Sequence, residues 1–375
     1  MQIGIDASRA IAEQPTGTEV YSQRIIRALL ELDSPHQFRL YSREAPPVDA
    51  FPGADLRVIP LPRLWTHIRL SWEMARHPPD VLFVPAHVLP IVRPHASLVT
   101  IHDLGYLHFP KAHPGLQRLY LDLSTRWSAR AATRVLAVSE ATKKDLVSHY
   151  DIRPDKIAVT PHGRDETLSP VRDPATIEAV KAKYDIVGSY YLYLGTLQPR
   201  KNLSRIIDAF ASLHSESSLI LAGGRGWLYT DLESQVRRLG MEERVVFPGY
   251  IDDEDKAALL SGALAFVFPS LYEGFGLPVL ESQACGCPVI TSTTSSLPEV
   301  AGDAALLVDP QDTSAIATAM QRATMEPGLR EALIQRGLDN IRRFSWDTSA
   351  KGVMEAIEQC TAVADKERPS GTLVL

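Results

Sequence analysis

Two glutamates, Glu273 and Glu281, flank a glycine loop in the stretch YEGFGLPVLE. Two chemistries fit that spacing. Paired carboxylates can act as acid and base in glycoside hydrolysis. A glycine loop running into a helix instead presents backbone N–H groups and a positive dipole end to a phosphate. Pro278 suits a first helical turn. Gly274 and Gly276 let the backbone approach a ligand closely. On the second reading Glu273 lies in the loop and Glu281 near the end of the first turn, so the two acids need not meet. The bland alternative is that each caps a helix or faces water.

Other residues add to the choice. Arg200 and Lys201 in GTLQPRKNLSRIIDAF stand just before a helical pattern. Two cations there oppose the helix dipole unless an anion sits beside them, although a solvated basic pair is the plain alternative. His102 and Asp103 end the apolar run LVTIHDL. A histidine at such a strand end is either structural or part of a site. Gly17 in PTGTEVY opens another helix, but this is neither G-x-G-x-x-G nor a Walker A loop, which excludes a nicotinamide-cofactor fingerprint. Asp253-x-Asp255 reads as the acidic first turn of a helix with Asp252 as N-cap, in preference to a metal site. Asp309–Ala317 repeats that helix-start pattern. Cys285, Cys287 and Cys360 lack a companion ligand cluster and read as buried thiols, with no disulfide scaffold.

The elements that position these residues follow one grammar. In the first half QIGID, QFRLYS, LRVIPL, DVLFVPA, LVTIHD, RVLAVS and KIAVTP read as strands. Helical patterns lie between several of them; one begins after Thr18, another after the capping residue Ser139. Around Pro161–Tyr184 the pattern breaks, which reads as a linker. It then resumes with YYLYLG, SSLILAGG, RVVFPGY, LAFVFPS, PVITS and AALLVD. Such alternation predicts an α/β protein with two parallel, Rossmann-like domains facing each other across a cleft. The domains are expected at residues 1–165 and 185–345, with a last helix at 346–365. The final segment KERPSGTLVL is expected to be loose.

The chain has 375 residues, enough for two cored domains. Residues 1–165 hold 20 Lys+Arg and 17 Asp+Glu, about +3, and the remainder 19 and 28, about −9. That imbalance is too weak for a nucleic-acid partner. No apolar run reaches the ~20 residues of a membrane span. The first residues lack a basic-then-apolar leader, so a cytoplasmic location is expected. The segment Pro62–His77 mixes arginines with Trp65, Ile68, Leu70 and Trp72. It is either a packed surface helix, the favoured reading, or a peripheral contact with the inner face of a membrane.

Taken together, PTGTEVY, TIHDL, GTLQPRKN and EGFGLPVLE resemble family 4 of the glycosyltransferases, retaining enzymes of the GT-B fold, over about residues 1–360. The resemblance implies transfer of a hexose from a nucleotide-sugar to a glycan or lipid-linked acceptor, without a metal or other cofactor. It implies that Arg200 and Lys201 hold the donor diphosphate and that Gly17 contacts it through its backbone. Glu273 would bind the sugar hydroxyls, with the loop amides of Gly274, Phe275 and Gly276 helping. Glu281 would bind the ribose, His102 would lie beside sugar and diphosphate, and Gly249, Tyr250 and Ile251 would meet the base. The last helix would cross back to the first domain. Thr196 departs from the pattern, since many members carry arginine there. The motifs lean toward GDP-mannose, with a UDP-sugar as the alternative donor. The rival functions are a glycoside hydrolase using Glu273 and Glu281, and a non-catalytic nucleotide-sugar-binding protein.

Overall fold

A computed structural model describes all residues except 12–16, 63, 87, 111–113, 225–228 and 368–375. Most of the segment expected to be loose, and Arg63 of Pro62–His77, therefore lie outside the described residues. The chain divides into two units, Met1–Gly163 with Phe344–Leu375, and Arg164–Arg343.

The first unit is built on seven strands: β1 (Gln2–Asp6), β2 (Gln37–Ser42), β3 (Asp55–Val58), β4 (Val81–Val84), β5 (Ala96–Ile101), β6 (Arg134–Ala137) and β7 (Ile157–Val159). All pairs are parallel, in the order β3-β2-β1-β4-β5-β6-β7. Strand β4 shows why its sequence lacks polar alternation. Val81 and Phe83 pack into one core with Ile3, Ile5 and Leu98. Leu82 and Val84 pack into another with Val99, Ile101 and Val135. Both faces are covered, so both must be apolar. Helices Gly17–Glu31 and Trp346–Glu367 cover the first face, through Ile25, Leu29, Val353 and Ile357. Trp65, Leu70, Met74 and Leu146 cover the other.

The second unit holds six parallel strands: β8 (Tyr190–Leu194), β9 (Ser218–Ala222), β10 (Val245–Val246), β11 (Phe266–Phe268), β12 (Val289–Ser292) and β13 (Ala305–Val308). Their order is β10-β9-β8-β11-β12-β13. In each sheet the order reverses once, between β1 and β4 and between β8 and β11. Ligand sites in open parallel sheets form beyond the strand C-termini at such a point. The pairing of Leu192 with Phe266 therefore brings the loops after β8 and β11 together, although about 70 residues separate them.

The structure corrects the sequence reading in two places. The expected linker contains a helix, Pro174–Lys183, capped by Asp173, whose carboxylate accepts from the Ala175 and Thr176 N–H groups. Asp252 occupies the N-cap position of helix Asp253–Gly262, but its side chain makes no capping bond. It accepts instead from Lys183 Nζ at 2.7 Å, because that lysine also reaches Asp255 at 2.6 Å. The Pro62–His77 segment forms a π-helical turn, Trp65–Leu70, running into helix Ser71–Arg76. Trp65, Leu70 and Met74 are buried, whereas Ile68 and Trp72 stay exposed.

Candidate active site

The loop after β8 tightens into a 3-10 turn, Pro199–Lys201, before helix Leu203–Ala211. Asn202 sits between them in the left-handed region, with φ 66°. Its amide donates to the Pro269 and Pro310 carbonyls at 3.0 and 2.6 Å, which fixes the turn against the loop after β11. The two cations then converge on one acid. Arg200 Nη1 donates to Glu273 Oε2 at 2.7 Å and to the Tyr272 carbonyl at 2.9 Å. Lys201 Nζ donates to Glu273 Oε1 at 2.5 Å and lies 4.9 Å from the centre of the Phe268 ring. Burial pushes the Glu273 carboxyl up, but the charges of Lys201 and Arg200 outweigh it and hold the group below its ordinary value.

The glycine loop is braced from below. The Ser296 hydroxyl donates to the Glu273 and Phe275 carbonyls at 2.9 and 2.6 Å, and Glu273 N–H donates to Ser295 Oγ at 3.0 Å. Gly276 opens helix Leu277–Ala284 with φ 113°. The conformation favours glycine, and a Cβ there would lie 2.8 Å from Leu297 Cδ2, so that side chain would have to shift. Gly274 and Phe275 are buried in this loop. Glu281 lies one turn into the helix and has a different partner, Lys256 Nζ at 3.6 Å. Burial raises its carboxyl above the ordinary value, with Lys256 opposing. The two glutamates thus belong to separate charge environments.

The sequence reading named Gly249 but missed the close glycine contacts around it at this sheet edge. Gly195, Gly223 and Gly249, after β8, β9 and before Tyr250, all have positive φ. Gly223 N–H donates to the Gly249 carbonyl at 2.6 Å. A Cβ on Gly223 would fall 2.1 Å from the Gly195 carbonyl oxygen, so the backbones meet directly. The glycine pair in ILAGG was the available signal. Next to it, Tyr250 is 69% exposed while Ile251 is buried. Only Tyr250 of these two presents substantial surface to a ligand.

In the first unit His102 follows β5 and is 7% exposed. Its Nε2 lies 2.8 Å from the Pro85 carbonyl, which can only accept, so that nitrogen carries the proton. The ring meets Tyr21 edge-on at 4.7 Å. His162 stacks on Tyr21 at 4.7 Å and on Trp346 at 6.1 Å, and its ring lies 5.6 Å from that of His102. Burial, with His102 beside it, holds His162 well below the ordinary imidazole value. The sequence reading passed over His162 because PHG looked like linker punctuation. Gly17 is the exposed first residue of helix Gly17–Glu31, and no atom of the described residues stands within 4 Å of where a Cβ would lie. At the β1/β4 switch point lies a cavity of about 410 Å³, lined among others by Asp6, Arg9, Arg43, Asp103, His67 and Tyr120.

Among the described residues, two groups have spacing that could hold a metal ion: His108 with Asp145 and His149, and the exposed Asp252 and Glu254 with the buried Asp255. Neither group includes Glu273 or Glu281. The three cysteines are free and buried, each thiol pushed up to about 12 by burial.

This arrangement can be compared with known proteins. The profile "Glycosyltransferase Family 4" matches residues 15–168, and "Glycosyl transferases group 1" matches residues 180–339. The O-antigen chain mannosyltransferase B of Escherichia coli is 34% identical over 293 residues, 77% of this chain and 76% of that one. The chain belongs to glycosyltransferase family 4. Its fold is GT-B. Sucrose-phosphate synthase from Thermosynechococcus elongatus superposes with TM-score 0.76 at 21% identity, over 97% of this chain and 100% of that one. Anabaena HepE in complex with UDP-glucose gives TM-score 0.74 at 18% identity, over 96% and 100%. Membership of a glycosyltransferase family sets aside the hydrolase reading of Glu273 and Glu281. No helix among the described residues is long and apolar enough to cross a membrane.

Proposed function

We propose that this glycosyltransferase moves a hexose, mannose in preference, from a nucleoside-diphosphate sugar to a glycan or lipid-linked acceptor, with retention and without a metal. GDP is the favoured nucleotide and UDP the alternative. The observation that carries the reading is the convergence of Arg200 and Lys201 on Glu273 at the β8/β11 switch point, beside the start of helix Leu277–Ala284. The mannosyltransferase relative supports the choice of sugar.

The chemistry follows from what these groups can exchange. A diphosphate would draw Arg200 and Lys201 onto its oxygens, where charge-assisted bonds are the stronger ones. Glu273, released from them, would accept hydrogen bonds from the sugar hydroxyls next to the diphosphate. The helix N-terminus adds its dipole to the leaving group. In the proposed step the bond from the anomeric carbon to phosphate oxygen breaks. The acceptor oxygen attacks from the same face, and its proton passes to the departing phosphate. Glu281 is assigned to the ribose and Tyr250 to the base. Gly17 and His102 are assigned to the donor.

Calorimetric titration with GDP, UDP, dTDP and ADP, each in EDTA, tests the reading. We expect one nucleotide to bind clearly and Glu281→Ala to weaken it. Absence of binding by folded protein to all four would remove the assignment. NMR of the product then decides stereochemistry, an inverted anomeric centre being incompatible with same-face attack. For the first unit, Gly17→Ala is expected to keep its melting temperature, since no described residue would meet the added methyl group, while turnover falls.

A further inference from the structure

Among the described residues, seven of the sixteen large apolar side chains that stand exposed crowd into one part of the first unit. Helix Gly115–Ala131 carries Leu116, Leu119, Tyr120 and Leu123 at i, i+3, i+4 and i+7, a single face, and they are all exposed. Its inner face is closed by Ser124, Thr125, Ser128 and Ala129. The neighbouring segment exposes Leu64, Ile68 and Trp72, again on a helical repeat. A His67 Nε2–Tyr120 Oη hydrogen bond of 3.0 Å joins the two surfaces.

The exposed charges of these two helices have one sign. Arg69 and Arg76 stack on the Trp72 ring, at 4.9 and 4.1 Å from its centre. Arg118 and Arg126 are exposed on the long helix. The acids of these two helices are turned away from solvent. Glu73 is buried and paired with Arg57, and half-buried Asp122 accepts from the Tyr150 hydroxyl at 2.6 Å. A cationic rim around exposed leucines complements an anionic lipid surface. A tryptophan flanked by guanidinium groups has the apolar body and charged edge that suit the headgroup boundary. A second copy of this face would set arginine against arginine.

The face also leads somewhere. Leu64, His67 and Tyr120 belong both to this surface and to the lining of the 410 Å³ cavity, which holds the buried Asp6 and the polar Asp103 and Arg43. An amphiphile fits such a join, its polar end in the cavity and its apolar chain along the leucines. We propose that this face docks on an anionic bilayer and receives a lipid-linked acceptor there, an inference that rests on the acceptor class proposed above.

The test is flotation of the full chain with vesicles of phosphatidylcholine, alone or mixed with phosphatidylglycerol, at low and high salt. The expected result is binding to the mixed vesicles, weakened by salt. Leu116→Gln/Leu119→Gln/Leu123→Gln should reduce that binding about tenfold or more, since glutamine keeps the helix but removes the apolar contact. Arg118→Glu/Arg126→Glu should reduce it as well. Both variants should keep the wild-type melting temperature and nucleoside-diphosphate affinity. Failure of the wild type to float at low salt would overturn the proposal, as would undiminished binding by the leucine variant. A wild-type dimer that the leucine substitutions dissociate would assign the face to a second copy. Because nucleotide titration needs no vesicle, lost flotation with intact nucleotide binding removes the docking surface alone, and lost nucleotide binding removes the transferase reading.

Discussion

Glu273 is held by the two cations that the proposed function gives to the diphosphate, so it acts as their counter-ion until a ligand competes. Glu273→Gln would leave Arg200 and Lys201 without that rival. Its expected signature is opposed effects: affinity for the nucleoside diphosphate rises about tenfold, one charged hydrogen bond's worth, while turnover falls about tenfold or more. Titration and initial rates measure both; a parallel fall in the two would show that Glu273 does not compete. Lys201→Ala should lose about tenfold or more in turnover. It should also cost about 2 kcal/mol in denaturant unfolding, because it strips one partner from a buried carboxylate. The pH dependence has a definite sign. Glu273 is held below its ordinary value of 4.5, so its contribution to stability is present above that pH and lost as pH falls through the lowered value. The melting temperature of Glu273→Gln should therefore depend less on pH below about 4.5. Glu281, whose carboxyl is raised, works the other way, its contribution being lost as pH rises through the folded value. The acids, the cation pair and the glycine loop were legible in the sequence because unusual residue types sat at strand ends. Their mutual contact was not, since it depends on β8 lying beside β11.

At the scale of elements, central strands were legible because burial on both faces leaves apolar runs such as VLFV and YYLYL. Helix Pro174–Lys183 was not, because among its residues only Lys181 is buried and no apolar stripe marks it. Its capping pair Asp173-Pro174 was the signal that remained. The exposed leucines of helix Gly115–Ala131 carry the same helical spacing as a buried face, so spacing alone could not say which way they point. Strand ends show the opposite case, where geometry admits one residue type. Gly223→Ala would drive a methyl group into the Gly195 carbonyl at a φ of 135°. A loss of about 3 kcal/mol or more is expected in chemical denaturation, against about 1 kcal/mol for Ser139→Ala, which removes the cap bonded to Thr142 N–H at 3.0 Å. Equal costs for the two would mean that the strand-end loops can part without penalty.

For the whole molecule, the first unit is assembled from both ends of the chain and the second from its middle. Helix Trp346–Glu367 lays Val353, Ile357 and Cys360 into the core that holds Ile25 and Leu29. A chain ending at Arg343 should lose the cooperative melting of the first unit and expose apolar surface to a dye such as ANS. The second unit keeps its own sheet and should still bind nucleotide. An unaltered transition for the first unit would show that the last helix is dispensable. The same interleaving bears on how the protein is made. Synthesis proceeds from the N-terminus at about 5–20 residues per second. The second unit is therefore complete before the ribosome has supplied the helix that closes the first. For several seconds of every round of translation, on that rate, a nascent chain carries one finished unit and one whose apolar face has no cover. Quality control in the cell would meet this enzyme at that moment, when Ile25 and Leu29 still wait for helix Trp346–Glu367.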